Sequence, residues 1–176
     1  PVARCYPAHR MRLSQRIKNG EELVQDFELA AEERFLDAQE LLARGQSTGA
    51  AYLVGYVAEM LLKNAVFRFD GARPSDRVSQ RLWPAKKWAQ KALPALPFTN
   101  FHSVWFWAHV LREKRRRRGL PLPEAVAQNL MRLAFRLERT WAVELRYFGL
   151  EVDADHATRV MADVAWIRRN KEQLWK

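Results

Sequence analysis

The chain has 176 residues, 48% of them hydrophobic and 28% charged, with 7 glycines and 8 prolines, a composition that fits one folded domain and excludes a low-complexity chain. Its only cysteine, Cys5, excludes an internal disulfide, and no CxxC pair exists to hold zinc through thiolates. The net charge of +10 falls in two places, residues 1–20 with five bases and no acid and REKRRRR at 112–118 with six bases and one acid; two basic patches on a neutral remainder suggest local contact with something anionic.

Apolar residues recur at three- and four-residue spacing, and no stretch alternates as a strand does, so the expected fold is all-α with about five to six helices over residues 21–176, after a basic arm at 1–20. The first helix is expected over residues 23–44, with Leu23, Phe27, Ala30 or Ala31, Phe35 or Leu36, Ala38, Leu41 and Leu42 as its stripe and Gly45 as its end. Ser47 and Thr48 offer capping hydroxyls for a second helix over residues 49–69, and Asp70, Gly71 and Pro74 break it. A shorter helix is expected over 83–93, with Pro84 in its first turn, where its missing N–H costs nothing. Thr99 or Asn100 can cap a helix reaching residue 118, and Gly119 with PLP at 121–123 stops it. A long helix then runs over 124–148, with Leu130, Leu133, Leu137, Trp141, Leu145 and Phe148 on one face. Asp153 is the expected cap of the last helix, whose apolar side is Ala157, Val160, Met161, Val164 and Ile167.

The longest apolar run, residues 50–66, is interrupted by Glu59, Lys63 and Asn64 and is too short for a bilayer, so no membrane span is expected. The basic start is followed by no apolar block, so no secretory signal is expected and the cytoplasm is the natural compartment.

Arg34, Asp37-Ala38 and Leu41-Leu42 in the first helix, then Ala51-Tyr52, Gly55-Tyr56, Glu59 and Leu62-Lys63 in the second, are followed by His102 at the opening of a later helix and by Trp141 with Arg146-Tyr147. In order and separation these resemble the HEPN family, helical domains associated with nucleotide binding and RNA cleavage. The resemblance spans residues 30–170 and is continuous over the first two helices. It implies an up-and-down bundle, a homodimer and a groove for nucleotide or RNA. RNA-cleaving members carry an arginine separated by four to six intervening residues from a histidine near the start of the last helix. Here the only such spacing is Arg4 to His9, at the wrong end and containing Pro7, whereas His156 follows Arg146 by nine intervening residues.

Tyr52, Tyr56, Glu59 and Lys63 fall on one helical stripe. They are either a charged pair beside two phenols or, as the resemblance favours, a nucleotide site in which Lys63 and Arg146 meet phosphate, Tyr56 or Tyr147 stacks, and Glu59 orients Lys63. Arg146 can equally pair with Glu59 or Glu144. Arg112, Lys114, Arg115, Arg116, Arg117 and Arg118 are either a solvated helix end, favoured there by the helix dipole, or a phosphate-binding tip. His102 and His109 share a face two turns apart, too far to chelate one metal. No phosphate loop, dinucleotide fingerprint, nucleophile elbow or HExxH is present, so no cofactor or metal is expected. The expected function is a non-catalytic module binding nucleotide or nucleic-acid phosphate. The alternatives are an RNA-cleaving toxin or defence nuclease using His102 or His156 with Arg146, and a protein-interaction module whose aromatic surface holds a separately encoded nucleotidyltransferase-type partner.

Overall fold

The computed structural model describes residues 22–98, 100–147 and 152–176, with the backbone alone at Arg146 and Tyr147. The basic arm of residues 1–20, with Cys5, the cap at Thr99 and the apolar place of Phe148 lie outside the described residues. Within them the chain is an all-α bundle: α1 (Val24–Ala43), α2 (Ser47–Phe69), α3 (Ser79–Ala92), α4 (Val104–Arg117), α5 (Glu124–Thr140), a 3-10 turn (Val143–Tyr147), α6 (Ala154–Arg169) and α7 (Lys171–Trp175). The only β pairing among the described residues is one isolated bridge between Leu23 and Arg77.

Helix α2 is the axis. It packs against α1, α4, α6, α7 and the 3-10 turn, while α5 lies against α4 and α6. A helix enclosed on all sides must be apolar all round, and α2 buries Val54, Val57, Ala58, Leu61, Leu62, Ala65, Val66 and Phe67. Its 23 residues are long and apolar enough to cross a bilayer by length and composition, which corrects the expectation from the interrupted run; 78% of that apolar window is buried inside the bundle. Of the alternatives in α1, Ala31 and Phe35 face inward and Leu36 faces water. Gly45 ends α1 at φ +74°, so that Gln46 N–H reaches the Leu41 carbonyl at 2.9 Å and Gly45 N–H the Leu42 carbonyl at 3.0 Å, the paired bonds that a left-handed residue permits at a helix end.

Several expected ends move for identifiable reasons. α2 starts at Ser47 itself, so neither hydroxyl caps it; Thr48 Oγ1 instead accepts from Val152 N–H at 2.8 Å and ties α2 to the approach of α6. α3 starts at Ser79, which puts Pro84 in the second turn rather than the first. The bond its nitrogen cannot make is to the Gln80 carbonyl, on an exposed residue where water can replace it. α4 is capped not by Asn100 but by Ser103, whose Oγ accepts from Phe106 N–H at 2.9 Å; Asn100 bonds His102 N–H at 2.7 Å. Asp153 does cap α6, accepting from His156 N–H at 2.6 Å.

The largest departure is α5, which stops at Thr140 instead of continuing to 148. Trp141 turns extended at φ −138°, ψ 136°, and its indole N–H donates to the Tyr52 carbonyl at 3.0 Å. The ring lies directly on Gly55, where an added Cβ would sit 2.1 Å from Trp141 Nε1. A tertiary contact therefore ends this helix, and it requires the residue without a side chain. Gly55→Ala should destabilise the protein by about 1–3 kcal/mol through overpacking, read as a lower denaturant midpoint with unchanged slope. An unaltered midpoint would mean that Trp141 does not occupy this notch.

Candidate functional site

The stripe on α2 is brought together as expected, but it faces inward. Glu59 and Lys63 are each 4% exposed, and Lys63 Nζ lies 2.5 Å from Glu59 Oε1. The ammonium also sits 5.9 Å from the Phe27 ring centroid and 5.7 Å from that of Trp107, a desolvated cation among aromatic faces. Lys63 as a phosphate contact is thereby corrected, because its charge is enclosed and already matched. The remaining Glu59 oxygen, Oε2, is 2.9 Å from His102 Nδ1. One buried carboxylate thus joins an ammonium to an imidazole, as a buried charge requires.

Above this centre, Tyr56 stands edge-on to both Trp141 and His102, at centroid distances of 5.2 and 6.2 Å, and Tyr52 and Tyr56 hydroxyls are 3.3 Å apart. The His102 side chain is 43% exposed. It opens on a small depression of about 70 Å³ lined by Asn100, Ser103, Glu138, Trp141 and Glu144. The side chains of Arg146 and Tyr147 lie outside the description, so their roles toward phosphate, Glu59 or Glu144 have no geometry; their backbone belongs to the 3-10 turn beside α2. His102 precedes α4 and does not share its face with His109. His109 stands edge-on to Trp105 with ring centroids 4.3 Å apart, its Nε2 is buried without a partner among the described residues, and burial, followed by the charge of Arg112, lowers its pKa.

The basic run divides into an inner and an outer set. Lys114, 7% exposed, bonds Asp70 at 2.8 Å and lies 4.1 Å above the Trp88 ring. Arg115, 6% exposed, donates to the Leu174 carbonyl at 3.2 Å. Arg118 donates to the Phe69 carbonyl at 2.5 Å and to Asp70 at 3.0 Å. Arg117 donates to the Ala92 carbonyl at 2.9 Å and to Glu113 at 2.6 Å. Arg116 shares that glutamate through a two-point contact at 2.7 and 2.8 Å, and the two guanidiniums hold the Glu113 carboxyl down at about 2. Lys114 and Arg115 are therefore structural rather than ligand-facing, a correction to their assignment to a phosphate-binding tip, whereas Arg118, like Arg117, is tied to a helix end but half exposed. Arg112 is exposed and has no ion pair among the described residues, so it keeps its assignment.

What sequence spacing missed is α3. Arg117 reaching Ala92 and Lys114 over Trp88 lay this helix beside the end of α4. Its Lys87 and Lys91, one turn apart, are exposed. Lys86 is taken up instead by the rings of Phe98, Trp83 and Phe101 at 4.2, 4.8 and 5.7 Å. Residues 77–118 hold eleven bases and one acid, a balance equal to the excess of the whole chain. Counting charge by region between the proline breaks could have found it; looking for runs could not, because the α3 lysines are dispersed.

No family model, curated protein or solved structure matches the chain.

Arg115 and Arg116 are neighbours in sequence with opposite roles. Arg115→Ala should lower stability by about 2–3 kcal/mol, since it removes a buried charged donor, whereas Arg116→Ala should stay within about 0.5 kcal/mol, as for other surface changes. Denaturant unfolding of the two variants checks this; equal losses would contradict the division.

Proposed function

We propose that the domain binds nucleic acid through its phosphate backbone, along the basic face shared by α3 and the outer side of α4. The observation carrying this reading is the coincidence of charge and placement: the segment from 77 to 118 holds the equivalent of the chain's whole positive excess, and Lys87, Lys91, Arg112, Arg116 and Arg117 lie exposed on two adjoining helices. Arg116 and Arg117 divide one glutamate between them, so the surface stays positive after internal pairing. Cations held on neighbouring helices meet successive phosphates and release the counterions condensed there. No element that reads base sequence accompanies them. The HEPN resemblance of the first two helices is the ground for proposing a dimer, and a nucleotidyltransferase-type partner belongs to the protein-interaction alternative; the basic face requires neither.

A second reading, RNA cleavage, is favoured by one feature, the Glu59–His102 contact. A buried carboxylate that fixes Nδ1 leaves Nε2 for proton exchange, the arrangement of a general base. Against it, the depression at His102 is lined by Glu138 and Glu144, which repel a phosphate, and Lys63 is committed to Glu59. Binding without cleavage is the better supported of the two.

RNA affinity of the purified protein should fall steeply between about 50 and 200 mM salt, and replacing Lys87, Lys91, Arg112 and Arg116 by glutamine should flatten the log–log slope by roughly three. The bound RNA should be recovered intact. Cleavage abolished by His102→Ala would establish the second reading; no binding at low salt would sink the first.

A further inference from the structure

We propose that the outer face of α4 and α5 is a stacking platform for single-stranded RNA, and that it extends the basic face into a path that prefers unpaired nucleotides. The inference rests on the nucleic-acid reading above and adds the class of strand. Trp105, His109, Arg112 and Arg116 follow one another at spacings of four, three and four residues, one stripe along α4. Arg132, Phe135 and Arg139 form the matching stripe on α5, and the two helices pack together. The stripes meet where the Trp105 and Phe135 rings stand 5.6 Å apart.

Phe135 is 49% exposed, which leaves its ring open to be covered by a ligand. Its surroundings narrow the choice of cover. Arg139 lies 5.5 Å from its ring centroid, and among the described residues Arg112 is free of any acid and Arg132 has only the neutral Asn129 as a partner, at 2.5 Å. An apolar protein partner would be poorly matched by Arg139 against the Phe135 ring and by Arg112 and Arg132 on the same two stripes. A base has a π-face for the ring and a phosphate for the guanidinium, and such platforms accept any sequence because every base offers the same face. The bases of a duplex are stacked on one another and hidden, so the platform favours a strand that is unpaired.

Glu138 selects RNA over DNA. One of its oxygens accepts the Trp105 N–H at 3.2 Å at the start of α4, and the other has no hydrogen-bond partner among the described residues. A carboxylate beside the rings cannot take a phosphate, but it accepts a hydrogen bond from a ribose 2′-hydroxyl, which DNA lacks.

The test compares labelled oligouridine of about twelve nucleotides, an RNA duplex of equal length and the corresponding thymidine DNA strand, against wild-type protein, Phe135→Ala, Phe135→Tyr and, as a control on another face, Leu36→Ala. Single-stranded RNA should bind on the order of tenfold more tightly than duplex. Phe135→Ala should remove that preference while Phe135→Tyr and Leu36→Ala keep it, all with wild-type unfolding midpoints. Equal binding of strand and duplex, or a preference untouched by Phe135→Ala, would overturn the platform and leave the basic face standing. DNA bound as tightly as RNA would overturn the role of Glu138. Failure of every nucleic acid to bind at low salt would remove the underlying reading and this inference with it.

Discussion

The ends of four helices meet around the cationic segment 114–118, and the arrangement of the fold depends on how that meeting is made tolerable. The last turn of each helix presents carbonyls without intrahelical partners and the negative end of a dipole, so gathering several of them in one place is unfavourable unless donors are supplied. Arg118 donates to Phe69 at the end of α2, Arg117 to Ala92 at the end of α3 and Arg115 to Leu174 in α7, while the same residues form the last turn of α4. Asp70, at the end of α2, accepts from both Lys114 and Arg118. A run that looks like a solvated tail is in this way a shared set of C-terminal caps.

A second interior charge cluster works by the same rule. Glu59 alone in the core would be untenable, and Lys63 alone equally so; together with His102 they leave no net buried carboxylate unmatched. The cluster links α2 to the chain just before α4 and, through Phe27 and Trp107, to α1 and α4. It positions these elements relative to one another, and it explains how charged residues can stand in the middle of the most apolar helix.

The helical class and most helix centres were legible in the sequence because the apolar period is a local property. The pairing of Glu59 with Lys63 was legible for the same reason, being a one-turn spacing, but its burial was not, since that depends on α1 and α4 closing over it. The early end of α5 was illegible because Trp141 leaves the helix for a glycine 86 positions earlier in the chain. Likewise, nothing local to the arginine run says that Arg118 reaches Phe69 and Asp70, or that Lys87 and Lys91 lie beside it. The functional consequence is a sorting of cations: those most conspicuous as letters are largely inside or tied down, and those free to meet a ligand are scattered over α3, α4 and α5.

Lysine-reactivity footprinting with and without bound RNA tests that sorting most directly, because one experiment reads interior and exterior amines together. The account predicts that Lys63 is unreactive in both states, while Lys87 and Lys91 react in the free protein and are shielded by RNA. A reactive Lys63 that RNA protects, with Lys87 and Lys91 unchanged, would contradict it and return the binding site to the stripe on α2.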